Sequence, residues 1–561
     1  MKKILFSLLI TFFALPSASD SLHKRPAGDF NSAISRIISA DDHPLLDKNI
    51  FLNYKNTLDE LYFLSPEQLL WIKPYNPSHQ QISSALQLIA TANASGLEPE
   101  HYNLTGLQSI WQQLSIKKNI NYTELALLDT AVSINLIHFL SDLHFGRINP
   151  MAFNFSFDTR KDSFIFVPLI LNAIKNNEIA QLSSLVEPAF PAYHKLKTAL
   201  LDYRQKQSGP NIGRLKYSAS LLPGDPALQI IEVRRQLSLL GIAANTDSLS
   251  IFYDQQLVSH IKKFQRLHGL KEDGVIGRNT VKALNIPISQ YIQKIKLALE
   301  RLRWLPKIQS GPVVMVNIPS FQLWAYHNDK IGETQTLNMK VIVGKSDKEE
   351  RKSPVFTANM HYLVFSPYWN IPKSITIEEI LPKLLKDPLY LEQHNIELVA
   401  RFREDEPVQP YTEDSFNLLQ SGLLKLRQRP GKGNALGKVK FIFPNGYNVY
   451  IHDSPARQLF NRSKRDLSHG CIRVENPVAL ASFLLEWDKR EIIEAMHLQS
   501  PKKVQLRKAV PVIIYYSTVS AVKDEVIFYD DIYDYDTKLS QALMKHNNIP
   551  PLPLISIANK N

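Results

Sequence analysis

The sequence predicts an α+β multidomain chain: a helical N-terminal region, a small three-helix unit, and a β-rich C-terminal domain interrupted by a helical insertion. Three observations predict it. The chain has 561 residues, enough for three or four folded units at about 100–200 residues each. Apolar residues recur at helical spacing from about Ser32 to Arg214. After Gly311 they become runs of β-branched and aromatic residues separated by turn signals.

The elements follow in chain order. Met1-Lys2-Lys3, the apolar run Ile4 to Leu15 and the small residues Ser17, Ala18 and Ser19 have the pattern of a secretory signal over 1–19, with cleavage after Ala18 or Ser19. The apolar run is shorter than the roughly 20 residues a bilayer span needs, so export with no retained membrane span is expected. Residues 32–217 form the helical region, with helices over Gln81 to Ala92 and Leu125 to Leu143. Pro223-Gly224-Asp225-Pro226 marks a boundary, and a compact unit follows over 224–287. Its helices are Ile230 to Leu239, Asp254 to His268 and Arg278 to Leu284, the last preceded by the glycine-punctuated loop Lys271 to Gly277. Residues 288–310 return to the helical region or link onward through a helix, Ile292 to Leu305, with Lys and Arg along one side.

The β-rich domain is read over 311–500. Val313 to Ile318, Gln322 to Tyr326, Leu337 to Val343 and Met360 to Phe365 are its first strands. The strand pattern then breaks over 374–437, an insertion read as helical, with Ile377 to Leu385 and Phe416 to Leu426 as its helices. Val439 to Phe443 turns at Asn445-Gly446 into Tyr447 to Ile451, a hairpin that leaves His452 at a strand end. Asn476 and Pro477 cap a single helix, Val478 to Met496. Residues 501–561 are a C-terminal extension with strands at Val510 to Ser517 and Val526 to Tyr529 and a helix.

The 65 basic and 53 acidic residues leave a net charge of +12, which suits an anionic partner. Nucleic acid is not that partner: there is no finger spacing, no basic region joined to heptads and no aromatic ribonucleoprotein signature, and the Lys and Arg residues are dispersed. The one cysteine, Cys471, cannot form an internal disulfide. A lone exported thiol points to a reactive role, the alternative being a buried apolar cysteine.

His452-Asp453 and, fifteen residues on, Ser468-His469-Gly470-Cys471-Ile472-Arg473 put a thiol, two imidazoles and a guanidinium within a short span. A thiol attacks as its thiolate, so a neighbouring imidazole must take its proton or stabilise it as an ion pair. His452 could do so if the chain folds back. The Gly470 and Cys471 amides could point at a developing oxyanion, and Arg473 could hold a carboxylate bidentately. Singly, each residue has a duller role: His469 a backbone hydrogen bond, Gly470 a turn, Arg473 a surface ion pair. Zinc is disfavoured, because structural sites take four ligands in paired spacings and His-x-Cys is not one of these.

These residues resemble the signature of the YkuD-type L,D-transpeptidase catalytic domain. Val343-Gly344-Lys345, Ser353 to Phe356, Ser366 to Pro372 and Gly437 to Phe441 agree with it as well. Phe264-Gln265-Arg266 and Asp273 to Thr280 resemble a small peptidoglycan-binding domain. With the helical N-terminal region as scaffold and the tail Phe528 to Tyr533, the mature chain resembles the large periplasmic L,D-transpeptidases of Gram-negative bacteria. The resemblance implies Cys471 as nucleophile and His452 as base, oriented by the Asp453 backbone carbonyl. Asp453 itself departs from the small residue frequent in the family, so a role of its carboxylate toward His452 stays open. The resemblance further implies an oxyanion hole from the Gly470 and Cys471 amides, a positioning role for Arg473, and support from Ser468 and His469. The activity implied is 3→3 cross-linking of tetrapeptide stems with release of D-alanine and without a cofactor, in the periplasm, beneath the 374–437 insertion as lid. Water or a lipoprotein lysine as acceptor, and a silent wall-binding scaffold, are the alternatives. Peptidoglycan stems are the expected partners, possible other cell-wall enzymes beside them, and carbapenems the implied acylating inhibitors.

Overall fold

The computed structural model describes residues 30–547 apart from 66–67, 74–78, 118–120, 158–164, 210–212, 244–248, 309–310, 328–336 and 523–524. The expected signal segment 1–19 lies outside the described residues. The N-terminal region is built round the helix Tyr122–Phe145, whose Asn121 cap accepts a hydrogen bond from the Glu124 amide. Helices Phe30–Ser39, Lys48–Leu64, Gln80–Ala90 and Leu104–Ile116 surround it, so its buried residues lie on every side. A helix apolar all round is either a core helix or a membrane span. This one is long and apolar enough to span, yet 83% of its apolar window is buried within the protein. It is the core of the region. Its buried Asp129 accepts from the Leu70, Trp71 and Ile72 amides at 2.9, 2.8 and 2.9 Å and so pins that loop to the helix.

The helix Pro191–Gln207 packs against Ile288–Arg303, in a second core that continues through the three-helix unit into the β-rich domain. The basic side read in this second helix is not simply a solvated face, because Arg301 and Arg303 are buried. Arg303 pairs with buried Glu300 at 3.1 Å, and Arg301 pairs with Asp536. Glu300 also accepts from the Arg147 and Ile148 amides at 2.6 and 3.0 Å, which ties the helix to the N-terminal region. The small unit comprises Gln229–Leu239, Gln255–Leu267 and Arg278–Leu284. Gln265 fastens its loop, donating to Asp273 Oδ1 and the Val275 carbonyl at 3.0 Å each and accepting from the Gly274 amide at 2.9 Å.

The β-rich domain has strands β1 (Pro312–Asn317), β2 (Gln322–His327), β3 (Leu337–Gly344), β4 (Phe356–Phe365), β5 (Trp369–Asn370), β6 (Ile396–Val399), β7 (Lys425–Gln428), β8 (Val439–Ile442), β9 (Ile451–His452), β10 (Asp466–Ser468), β11 (Ile472–Val474) and β12 (Lys502–Tyr515). Nine of them form one sheet in the order β10-β3-β11-β9-β8-β4-β12-β1-β2. A further β2–β3 pairing joins the far end back, so the sheet curls closed.

The structure corrects the sequence reading at several points. β12 lies between β4 and β1 in the middle of the sheet, so the domain does not end at 500. Its partners are more than a hundred residues away, and no local pattern reports them. The insertion is not purely helical: β5, β7 and β6 form a small sheet over a core of its own that includes Ile380, Leu381, Leu391, Leu398, Leu419 and Leu426. The helix expected over Phe416 to Leu426 ends at Ser421, where Gly422 takes φ +87°, and the chain re-enters as strand β7. Asn445-Gly446 is not a two-residue turn, because β8 ends at Ile442 and β9 starts at Ile451. The Asn445 amide instead braces the wider loop by donating to the Phe443 and Val449 carbonyls at 2.7 Å each. Val478 to Met496 is two helices, Pro477–Leu485 and Lys489–Ala495, broken at Glu486 and restarted by an Asp488–Glu491 capping box.

Candidate active site

β8, β9 and β11 lie side by side, and their register decides which residues share a level. Lys440 of β8 is opposite His452 of β9, and His452 is opposite Arg473 of β11. Laterally paired residues project from the same face of a sheet. Phe441, Ile451 and Ile472 make up the neighbouring level and are fully buried, so they face the core. The other face therefore carries Lys440, Tyr450, His452, Cys471 and Arg473. The insertion acts on this face, with the Glu379 charge reaching Arg473 and the Glu404 charge reaching Lys440.

The connection from Ser454 to Ser468 returns along β3 through β10, so Cys471 arrives beside Tyr450. Cys471 and His452 thus sit on adjacent strands, although no hydrogen bond joins thiol and imidazole among the described contacts. Such bonds tighten in many enzymes only once substrate is bound. His452 is buried, and its Nδ1 lies 2.6 Å from the Asp453 carbonyl, which can only accept. Nδ1 therefore carries the proton and Nε2 is left basic. Burial, and then the charge of Arg473, push the His452 pKa down to about 3, against the carbonyls of Asp453 and Leu436. Burial likewise pushes the Cys471 thiol up, opposed by the Tyr450 backbone and hydroxyl and by Arg473. Burial thus favours the uncharged form of both groups.

The Asp453 carboxylate is turned away from His452. It accepts from the Lys438 and Ser454 amides at 2.9 and 2.6 Å and pairs with Arg457 at 2.5 Å. The connection between His452 and Asp453 is the backbone carbonyl alone. Gly470 has φ +111°, a conformation that L side chains rarely adopt, and its carbonyl accepts from Ser353 Oγ at 2.7 Å. Its amide, expected to face an oxyanion, donates instead to Ser468 Oγ at 3.2 Å. Ser468 Oγ also donates to the Cys471 carbonyl at 2.6 Å, so this buried hydroxyl holds the turn that presents the thiol.

Residues 311–511 match the family described as L,D-transpeptidase catalytic domain (YkuD). Over these residues the chain is similar to that family. Residues 56–200 match a scaffold domain, and 227–284 match a family described as "Putative peptidoglycan binding domain". A Haemophilus influenzae protein named "Putative L,D-transpeptidase" is 31% identical over 302 residues, which cover 52% of this chain and 58% of that protein. Two solved structures are also similar. One is the L,D-transpeptidase of Xylanimonas cellulosilytica, with 15% identity, 54% of this chain, 100% of that chain and a TM-score of 0.17. The other is Bdellovibrio bacteriovorus Bd1075, with 14% identity, 42% of this chain, 56% of that chain and a TM-score of 0.16. Superpositions this loose bear on neither fold nor site.

Within the matched residues His469 pairs with the insertion, its Nε2 lying 2.6 Å from Glu379 Oε1. Arg473 is half-buried, and its Nε has no hydrogen-bond partner among the described residues. Sequence reasoning missed Tyr450, Lys440 and Glu379. Tyr450 and His452 are two apart on an extended segment, and that period-2 spacing was the available signal. It also missed Tyr533, whose hydroxyl donates to the Gly344 carbonyl at 2.6 Å and accepts from the Ser353 amide at 3.1 Å.

Proposed function

We propose that the chain is an exported L,D-transpeptidase that forms 3→3 cross-links between peptidoglycan tetrapeptide stems through a thioester on Cys471. The observation that carries the proposal is the presence of Cys471, Tyr450, His452 and Arg473 on one face beneath the insertion, within a domain of that family. The family and its peptidoglycan-binding companion imply an extracytoplasmic location, and the N-terminal pattern supports the periplasm.

Cys471 Sγ attacks the carbonyl carbon of the third stem residue, a meso-diaminopimelate, and its proton passes to His452 Nε2. The Asp453 and Leu436 carbonyls favour the imidazolium that results. The Tyr450 hydroxyl and the Cys471 amide are the donors nearest the developing oxyanion, the Gly470 amide being engaged by Ser468. The tetrahedral intermediate collapses, the C–N bond to D-alanine breaks, and the imidazolium returns its proton to the leaving amine. The side-chain amine of a second diaminopimelate then attacks the thioester, gives up a proton to His452 and restores the thiol. The insertion restrains water from the thioester meanwhile.

Intact-mass analysis of the mature protein with disaccharide-tetrapeptide tests this. The expected product is a dimer one D-alanine lighter than two monomers, absent with Cys471→Ala. Loss of D-alanine without a dimer would replace the proposal with hydrolysis. Unchanged mass with retained sacculus binding would replace it with a wall-binding scaffold.

A further inference from the structure

The row of residues across the sheet contains one charged group that the chemistry above does not use. Lys440 shares a level with His452 and Arg473, on the opposite side of His452 from the arginine. Two interstrand spacings separate the lysine and arginine backbones, about 10 Å. Lys440 is half-buried, its lateral partners are Val364 and His452, and among the described residues no carboxylate lies within ion-pair distance of it. Burial holds its pKa below the usual lysine range, and the opposing charge is Glu404 of the insertion. Arg473 stands likewise, with an unpartnered buried Nε and Glu379 of the insertion as the acidic group reaching it. Desolvated cations without fixed partners are costly unless a counter-ion arrives. A lysine that merely covered apolar surface would extend its ammonium to water.

On the reading of the chain as an L,D-transpeptidase, the donor stem supplies such counter-ions. Two of its carboxylates flank the carbonyl that Cys471 attacks, one on the departing D-alanine and one on the diaminopimelate side chain. We infer that Lys440 is a specificity-determining residue that binds one of these two flanking carboxylates, on the far side of His452 from Arg473. Glu404 and Glu379 of the insertion supply part of the balancing charge, and the substrate carboxylates take over that role when bound.

Calorimetry in a Cys471→Ala background tests the inference without requiring turnover. Three disaccharide-tetrapeptides are used: the free acid, one amidated on the diaminopimelate side chain, and one ending in D-alaninamide. Lys440→Met is expected to weaken the free acid about tenfold or more, as loss of a charge-assisted hydrogen bond does. The effect is expected to fall below about twofold for the one stem whose missing carboxylate is the lysine's partner, which also says which of the two it is. Lys440→Arg is expected to restore most of the affinity, which excludes misfolding as the cause. Equal weakening of all three stems, or none, would overturn the anchor while leaving the transpeptidase reading intact. If Cys471→Ala with Lys440 intact binds no stem, the substrate assignment itself fails.

Discussion

Burial governs the Cys471 and His452 chemistry. His452 is held at a pKa of about 3, below its ordinary 6.5, and the thiol is held above its ordinary value. The free enzyme therefore keeps a basic imidazole and a protonated thiol across the neutral range, and kcat/KM is expected to be flat from about pH 5 to 8. A pH–rate profile with an acid limb near 6.5 would show instead a solvated imidazole. The stability sign is also determined: the folded pKa is depressed, so the unfolded chain takes up this proton first, and the contribution present above 6.5 is lost as pH falls toward 3. Asp453 separates the two roles its position could have played. Asp453→Ala removes the acceptor for the Lys438 and Ser454 amides, and thermal denaturation should show a loss of about 1–3 kcal/mol. The carbonyl on His452 Nδ1 survives that substitution, so the pH dependence of activity should keep its shape even where its magnitude falls.

The insertion is a folded element with its own core and its own small sheet, which is what lets it hold charged residues in place over the site. A π-helical turn, Thr376–Ile380, carries Glu378 and Glu379. Glu378 pairs with Arg351 at 2.5 Å, and Glu379 pairs with His469, two residues before Cys471. These groups are partly exposed, so each pair holds the insertion weakly. Glu379→Gln is expected to raise the rate of Cys471 alkylation by a small reagent roughly two- to fivefold, with faster hydrogen exchange confined to the insertion. An unchanged alkylation rate would mean that the His469 contact does not limit access to the thiol.

At the scale of the molecule, distant segments converge on the same turn. Tyr533, from the segment following β12, bonds Gly344 and Ser353, and Ser353 in turn bonds the Gly470 carbonyl next to Cys471. Tyr533→Phe leaves the buried Ser353 amide without its acceptor, and kcat is expected to fall about tenfold while KM changes little, because the displaced group is the turn that carries Cys471. A change confined to KM would place the effect elsewhere. Asp536 closes the same segment onto Arg301, and Glu300 binds that helix to the N-terminal region, so the turn that carries Cys471 is braced through buried charge from outside its own sheet. Part of this was legible in the residues. The three-helix unit, the cap at Asn476, the first four strands and the proximity of His452 to the Cys471 signature are all written in local periodicity, turn chemistry and short spacing. What the tertiary structure alone decided was β12 at the sheet centre, the sheet inside the insertion, the burial of Arg301 and Arg303, and the row Lys440, His452 and Arg473. The physical reason is common to them: each depends on lateral pairing or packing between segments far apart in the chain, and a residue's own neighbours in sequence contain no record of which strand lies beside it.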